Sequence, residues 1–360
     1  MRRLRQALGA VFSVLAFVPI YRLMDTSIDA PHREVSVEVA EVTLQLAWWG
    51  TLVTVLLAWL FAKVLPGTRR REGRLREEFM SERRIYRVTS IARPVETKYP
   101  TNMAILVLMM VAGLLAGLVA FAHGVVFGGS VARALSALML VFASWALGRE
   151  LAPDDNSAAF FGTALAVIGW QWLPSPALLP LFTALALSRV VNRSTGLTAR
   201  SSDSAIVTAL VIWTMVDLQN PLLGVSAAVA FVLDARLANP KPGQRLFAVL
   251  CLAAVGIQTW VIGTESLAVR FPLTPQYIAA AITLLSFLVV ALRLRTVTSL
   301  GDIGGEALDP ARVRGGMLVV LLLVLASVLV GQGGLEKALP VLAAMAGVVL
   351  GAAINTVGSE

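Results

Sequence analysis

Met103-Ala104-Ile105-Leu106-Val107-Leu108-Met109-Met110-Val111-Ala112-Gly113-Leu114-Leu115-Ala116-Gly117-Leu118-Val119-Ala120-Phe121 contains no charged residue. As an α-helix rising 1.5 Å per residue it is about 28 Å long, close to the roughly 30 Å hydrocarbon core of a bilayer. Gly113 and Gly117 stand four apart, the small-xxx-small spacing of closely packed helices, and Gly347 and Gly351 repeat it near the other end of the chain. This stretch therefore predicts a membrane-spanning helix that packs on a neighbour through its glycines.

Eleven further apolar runs accompany it, at 7–24, 39–65, 132–148, 158–172, 177–191, 204–218, 222–237, 246–263, 277–292, 317–330 and 338–355. The chain is 57% hydrophobic and only 14% charged, with a mean hydropathy of +0.78. An ordinary soluble domain carries about a quarter charged residues and is excluded. The expected fold is an all-α, polytopic transmembrane helical bundle of about twelve spans. Residues 1–65 supply the first two helices, 66–101 a basic loop, and 102–360 a main bundle of about ten helices. The run at 7–24 follows Arg2, Arg3 and Arg5 and has no small-residue cleavage site beside it, so it reads as an uncleaved first span. The runs from 158 to 237 are short, and the pair 158–172 and 177–191 reads either as two spans or as a re-entrant hairpin shielded by its neighbours.

Charge then sets orientation. Alternating the loops between two sides places 25 of the 30 Lys and Arg residues on one of them. Lys and Arg are retained in the cytoplasm, so that side and both termini are expected there, with the chain a multi-pass protein of the cell inner membrane. The formal charge of +8 is thereby a matter of topology, and nucleic acid is not an expected partner. Cys251 is the only cysteine, which excludes an intramolecular disulfide and thiol-rich metal sites. In the basic loop, Glu72 with Arg76 and Arg74 with Glu78 are four apart and favour a surface helix. Its basic residues over 69–98 suit anionic lipid headgroups or a protein partner.

The candidate chemistry lies in the basic-side turns. Arg149, Arg189, Arg193, Arg245, Arg312 and Arg314 recur beside helix ends, where guanidinium and free backbone N–H groups together suit a phosphate or carboxylate. The same arginines also serve as orientation anchors and as complements to helix C-termini. Asp155, Asp203 and Asp309 are natural N-caps, and Pro310 sits where a first-turn proline belongs. Asp154 and Asp155 offer a carboxylate pair for a divalent metal, the one cofactor implied. Inside the apolar runs, Glu41, His123, Asp217 and Asp234 all lie toward ends, which weakens an ion-coupled pump. The chain has no Gly-Lys-Ser/Thr phosphate loop, no HExxH pair and no GxSxG elbow.

Three functions stay open at this level. One is a transporter or flippase for an amphiphilic or anionic solute. Another is a membrane-embedded transferase acting on a phosphorylated lipid at the cytoplasmic face. The third is a non-catalytic membrane assembly subunit. Convergence of Arg149, Arg189, Arg245, Arg312 and Asp154 around a cavity is the arrangement that favours a binding site over simple anchoring.

Overall fold

The apolar runs become helices whose ends are set by prolines, glycines and polar turns. In the computed structural model, which describes residues 84–357 apart from 96, 98, 171–176, 264–268, 270, 271, 273, 304 and 331–333, they are ten in number. They are α1 (Pro100–Ala122), α2 (Phe127–Leu151), α3 (Asn156–Trp170), α4 (Leu178–Asn192), α5 (Ser201–Asp217), α6 (Leu222–Asp234), α7 (Gln244–Ile262), α8 (Pro275–Arg293), α9 (Pro310–Leu329) and α10 (Gly334–Val357). Each falls on one of the ten apolar runs expected from residue 103 onward. The expected spans at 7–24 and 39–65, and residues 66–83 of the basic loop, lie outside the described residues. Among the described residues there is no strand; Leu300 and Ala307 form an isolated bridge in the turn before α9.

Among the described residues the protein is all-helical, and six of the helices there are long and apolar enough to cross a membrane: α1, α2, α7, α8, α9 and α10. The expected count of twelve crossings is not upheld. Helices α3, α4, α5 and α6 have 15, 15, 17 and 13 residues. At 1.5 Å per residue they reach only about 20 to 26 Å.

Packing divides the helices into a core and a rim. Helix α4 packs on α2, α5, α6, α9 and α10, and α9 on α4, α6, α8 and α10. Helix α1 rests mainly on α2 and leaves Val107, Met110, Val111, Leu114 and Leu118 exposed. Helix α7 does the same with Leu246, Val249, Ile257 and Val261. Apolar faces of this extent are costly against water and neutral against lipid, so the rim is the surface suited to a membrane.

The glycine pairs act as their spacing predicts. A Cβ at Gly113 would stand 3.1 Å from Ala134 O, and one at Gly117 3.1 Å from Ala134 Cβ, so α1 and α2 approach through them. On α10, a Cβ at Gly347 would collide with the Gly162 backbone and one at Gly351 with Asp155 and Ala158. Helices α3 and α10 are thus nearly in backbone contact.

Successive helices run up and down, and the turns 84–99, 152–155, 193–200, 235–243 and 294–309 meet at one end. The C-terminal end of α10 lies there too, with Asn355 Nδ2 donating to Asp155 Oδ2 at 3.0 Å. At the opposite end, Asn220 closes the last turn of α9 by donating to the carbonyls of Ala326 and Val330, each at 2.9 Å. The basic turns identified from the sequence are those of the first end.

Candidate anion site at the basic end

The stretch 85–95, the last part of the basic loop described, is docked on the bundle. A 3-10 turn at Arg84–Arg87 precedes Val88 and Ser90, and Tyr86, Val88 and Ser90 are all buried. Ser90 donates from its amide (2.7 Å) and its hydroxyl (2.5 Å) to Asp203 Oδ2 in the first turn of α5. Asp203 was expected to cap that helix; α5 begins two residues earlier, at Ser201, which leaves the carboxylate for Ser90. The Ser90 carbonyl accepts from Thr195 Oγ1 at 2.6 Å, and the Tyr86 carbonyl from Arg200 Nη2 at 2.9 Å. This strap is therefore stitched to the α4–α5 turn.

A second turn meets the strap. Gly196 adopts φ +80°, and a Cβ there would collide with the Ile303 carbonyl, so only glycine lets the two turns touch. The backbones pair through Ile303 N to Thr195 O at 3.0 Å. That contact holds Asp302 against the strap, where it accepts from Arg93 Nε (2.9 Å), Arg93 Nη2 (2.7 Å) and the Tyr86 hydroxyl (2.8 Å). Burial alone would lower the Arg93 guanidinium, but the charge of Glu150 and the hydrogen bond and charge of Asp302 outweigh it and raise it above its ordinary value. Arg93 is a permanent cation here.

Between the strap, the last turns of α2 and the 299–308 turn lies a cavity of about 1360 Å³. Its apolar wall includes Phe142, Trp145, Leu197, Ile303 and Leu308. Its charged groups are Arg93, Arg149, Arg189, Glu150 and Asp302. Arg189 Nε donates to Glu150 Oε1 at 3.1 Å, and Arg93 is paired with Asp302. Among the described lining residues, three are arginines and two are carboxylates. Arg149 is the surplus: its Nη1 donates to Asn156 Oδ1, its guanidinium stands 5.9 Å from the Trp145 ring centre, and among the described residues it forms no ion pair. Phe142, Trp145 and Arg149, within about two turns of α2, line the same cavity.

The six candidate arginines therefore divide. Arg149 and Arg189 line the cavity. Arg193 and Arg312 do not; both donate to Asp234 Oδ1, Arg193 Nε at 2.7 Å and Arg312 Nη1 at 2.9 Å, in a buried cluster. The same two side chains bond the carbonyls of Asn239 and Ala238 and so fix the α6–α7 turn. Arg193 holds φ +52°, a left-handed conformation that costs a non-glycine residue about 1 to 2 kcal/mol and is maintained by this cluster. Arg314 Nη2 donates to the Leu294 carbonyl, and Arg245 is exposed at the start of α7.

The two candidate metal ligands are also engaged. Asp154 accepts from the amides of Thr298 (2.8 Å) and Ser299 (2.7 Å). Burial pushes its carboxyl up, but the Ser299 side chain and then these amides prevail and hold it below the usual carboxylate range. Asp155 caps α3, accepting from Ser157 N at 2.9 Å and Ala158 N at 3.2 Å. Among the described residues no group of three or more His, Cys, Asp or Glu is placed to hold a metal. Asp309 caps α9 as expected, accepting from Ala311 N at 2.8 Å ahead of Pro310.

The sequence did not single out Arg93, Glu150 or Asp302. Glu150 was passed over because the apolar run ends at Gly148, whereas α2 continues to Leu151 and carries Glu150 into the buried interior. Comparison of the chain with family models, curated proteins and solved structures found no match.

Proposed function

We propose that the protein is a transporter or flippase that takes an amphiphilic anion into this cavity from the cytoplasmic face, with the basic end and both termini on that side. The observation that carries the reading is Arg149, a guanidinium without a carboxylate partner among the described residues, in a cavity whose wall is partly apolar. One charge-assisted contact to an anion contributes about 1.5 to 3 kcal/mol, which by itself gives affinity weaker than millimolar. Six chain methylenes laid along Phe142 and Trp145 add about 5 kcal/mol, at roughly 0.8 kcal/mol each, when the amphiphile comes from water, and about nothing when it comes from lipid. An amphiphile that reaches the cavity from the aqueous face is thus favoured over a free anion.

Movement across the membrane is supported by the four short central helices, which fall short of the hydrocarbon thickness and bring the two aqueous faces closer together than a full span does. The test is vesicles reconstituted with the whole chain and a tail-labelled lipid, anionic or neutral, with leaflet exposure read by chemical quenching. Accelerated movement of the anionic lipid, reduced about tenfold or more by Arg149→Gln, supports the reading. Equal rates for the variant overturn it. Covalent turnover of the lipid that depends on a divalent metal replaces it with the transferase function.

A further inference from the structure

Helix α9 is buried along most of its length, but one stripe of it is open. Arg314, Leu318, Leu322 and Leu325 stand at i, i+4, i+8 and i+11, on one face of the helix, and all four are half-buried or exposed. Contacts on its two edges place the stripe. Beside it is Gly315, where a Cβ would stand 3.4 Å from Leu233 Cδ1 of α6. At the other edge Arg314 Nη2 donates to the carbonyl of Leu294, the residue that follows α8. The stripe therefore runs between α6 and α8, both of which pack on α9.

Positive charge gathers at the head of the stripe. With Nη2 committed to Leu294, Arg314 keeps an accessible Nη1 that bonds none of the described residues. Arg293 in the last turn of α8 and Arg295 just past it are exposed, and neither forms an ion pair among the described residues. None of these three lines the cavity that holds Arg149. From Arg314 to Leu325 the helix rises about 16 Å, close to the roughly 15 Å of hydrocarbon in one leaflet. A second copy of the chain does not suit this surface: the two-fold axis of a membrane dimer brings like ends together and sets the same arginines against each other. We infer that the stripe holds one chain of an anionic phospholipid from the surrounding leaflet, its phosphate on Arg314 Nη1 with Arg293 and Arg295 beside it. The acyl chain exchanges lipid for leucine and gains about nothing, so headgroup charge sets the preference. This lipid is a fixed part of the bundle surface, separate from any cargo of the cavity.

Photolabelling of the whole chain in phosphatidylcholine vesicles tests it. The vesicles carry a trace of phosphatidylglycerol or of phosphatidylcholine, each with the same diazirine-bearing acyl chain, and adducts are mapped by peptide mass spectrometry. Peptides of α9 should take the phosphatidylglycerol label about fivefold or more over the phosphatidylcholine label, the attraction of about one arginine for an anionic lipid. Arg314→Gln should bring that ratio near one. The paired exposed changes Arg293→Gln and Arg295→Gln should lower it by about half or more, and they decide the matter where Arg314→Gln does not fold. Arg149→Gln should leave the ratio as in wild type, whereas a fall to one in that variant assigns the label to the cavity and overturns the inference. Equal labelling of α9 by the two lipids in wild type also overturns it, as does a preference that survives in the arginine variants of the stripe. So does label on α8 with none on Leu318, Leu322 or Leu325, the result expected if protein covers the stripe.

Discussion

Arg93 and Asp302 lie 209 residues apart in the chain and meet in a two-point ion pair, Nε to Oδ2 at 2.9 Å and Nη2 to Oδ1 at 2.7 Å. The pair joins the strap before α1 to the turn before α9, and so closes one wall of the cavity. Both side chains are partly exposed, at 24% and 17%, so solvent screening limits the contribution to about 1 kcal/mol. Asp302→Asn should therefore speed amide exchange over residues 85–95 about fivefold, with α9 and α10 unaffected. Arg93→Lys should give most of the same effect, because an ammonium cannot reproduce the planar fork. Unchanged exchange in both variants would show that the Ser90 to Asp203 bonds hold the strap alone.

Asp234 tests whether Arg193 and Arg312 are structural. It is fully buried, and Asp234→Asn leaves two guanidinium groups without their counter-charge, at a cost of about 3 to 5 kcal/mol. That variant should lose most of its folded yield in detergent, whereas Arg245→Gln, at an exposed position, should match wild type. Normal yield of Asp234→Asn would mean that the cluster is dispensable and that its arginines are available for other work.

What the sequence made legible follows from which interactions are local. The ten helices could be read from their apolar runs, and the helix pairs through Gly113, Gly117, Gly347 and Gly351 from spacing, because both signals lie within a few turns. The Asp309 cap and Pro310 were local as well. The site was only half legible. Arg149 and Arg189 stood out as basic residues at helix ends, but Asp234 meets Arg193 across 41 residues and Arg312 across 78, and nothing in a single sequence announces those pairs. The four short helices were flagged by length, yet counted as spans; their burial among α2, α7, α9 and α10 is a tertiary property.

Glycine packing between α3 and α10 gives a sharp contrast. Gly347→Ala places a methyl group against the Gly162 backbone and 2.5 Å from Ala158 O, neither of which can give way without separating the helices. A loss of about 1 to 3 kcal/mol is expected from overpacking. At Gly256 on α7 a Cβ meets nothing within 4 Å, so Gly256→Ala should cause no loss. Thermal unfolding of the two purified variants checks this, and equal midpoints would contradict the close approach.

Asp154 makes the pH dependence of the α9-side turn predictable. Its folded pKa is depressed, so the stability it contributes is present above the unfolded value near about 3.9 and is lost as pH falls through the lower folded value. Exchange of the Thr298 and Ser299 amides should thus carry no Asp154 transition between pH 7 and 5 beyond the intrinsic rate, and Asp154→Asn should accelerate it at neutral pH. Protection that requires added magnesium would instead return Asp154 to the metal role its pairing with Asp155 suggested.

The central claim is that Arg149 anchors an amphiphilic anion in the cavity, and it is tested most directly by ligand-induced thermal stabilisation of the purified chain. Wild type, Arg149→Gln, Arg149→Lys and Arg245→Gln would each be titrated with a short-chain anionic lipid and with its free headgroup. The account predicts that the lipid stabilises wild type and Arg245→Gln alike and that the free headgroup does so far more weakly. Arg149→Gln should bind the lipid about tenfold to a hundredfold more weakly, with Arg149→Lys a partial rescue. An equal response from wild type and Arg149→Gln would contradict the account and leave the arginines of the basic end as anchors of the fold.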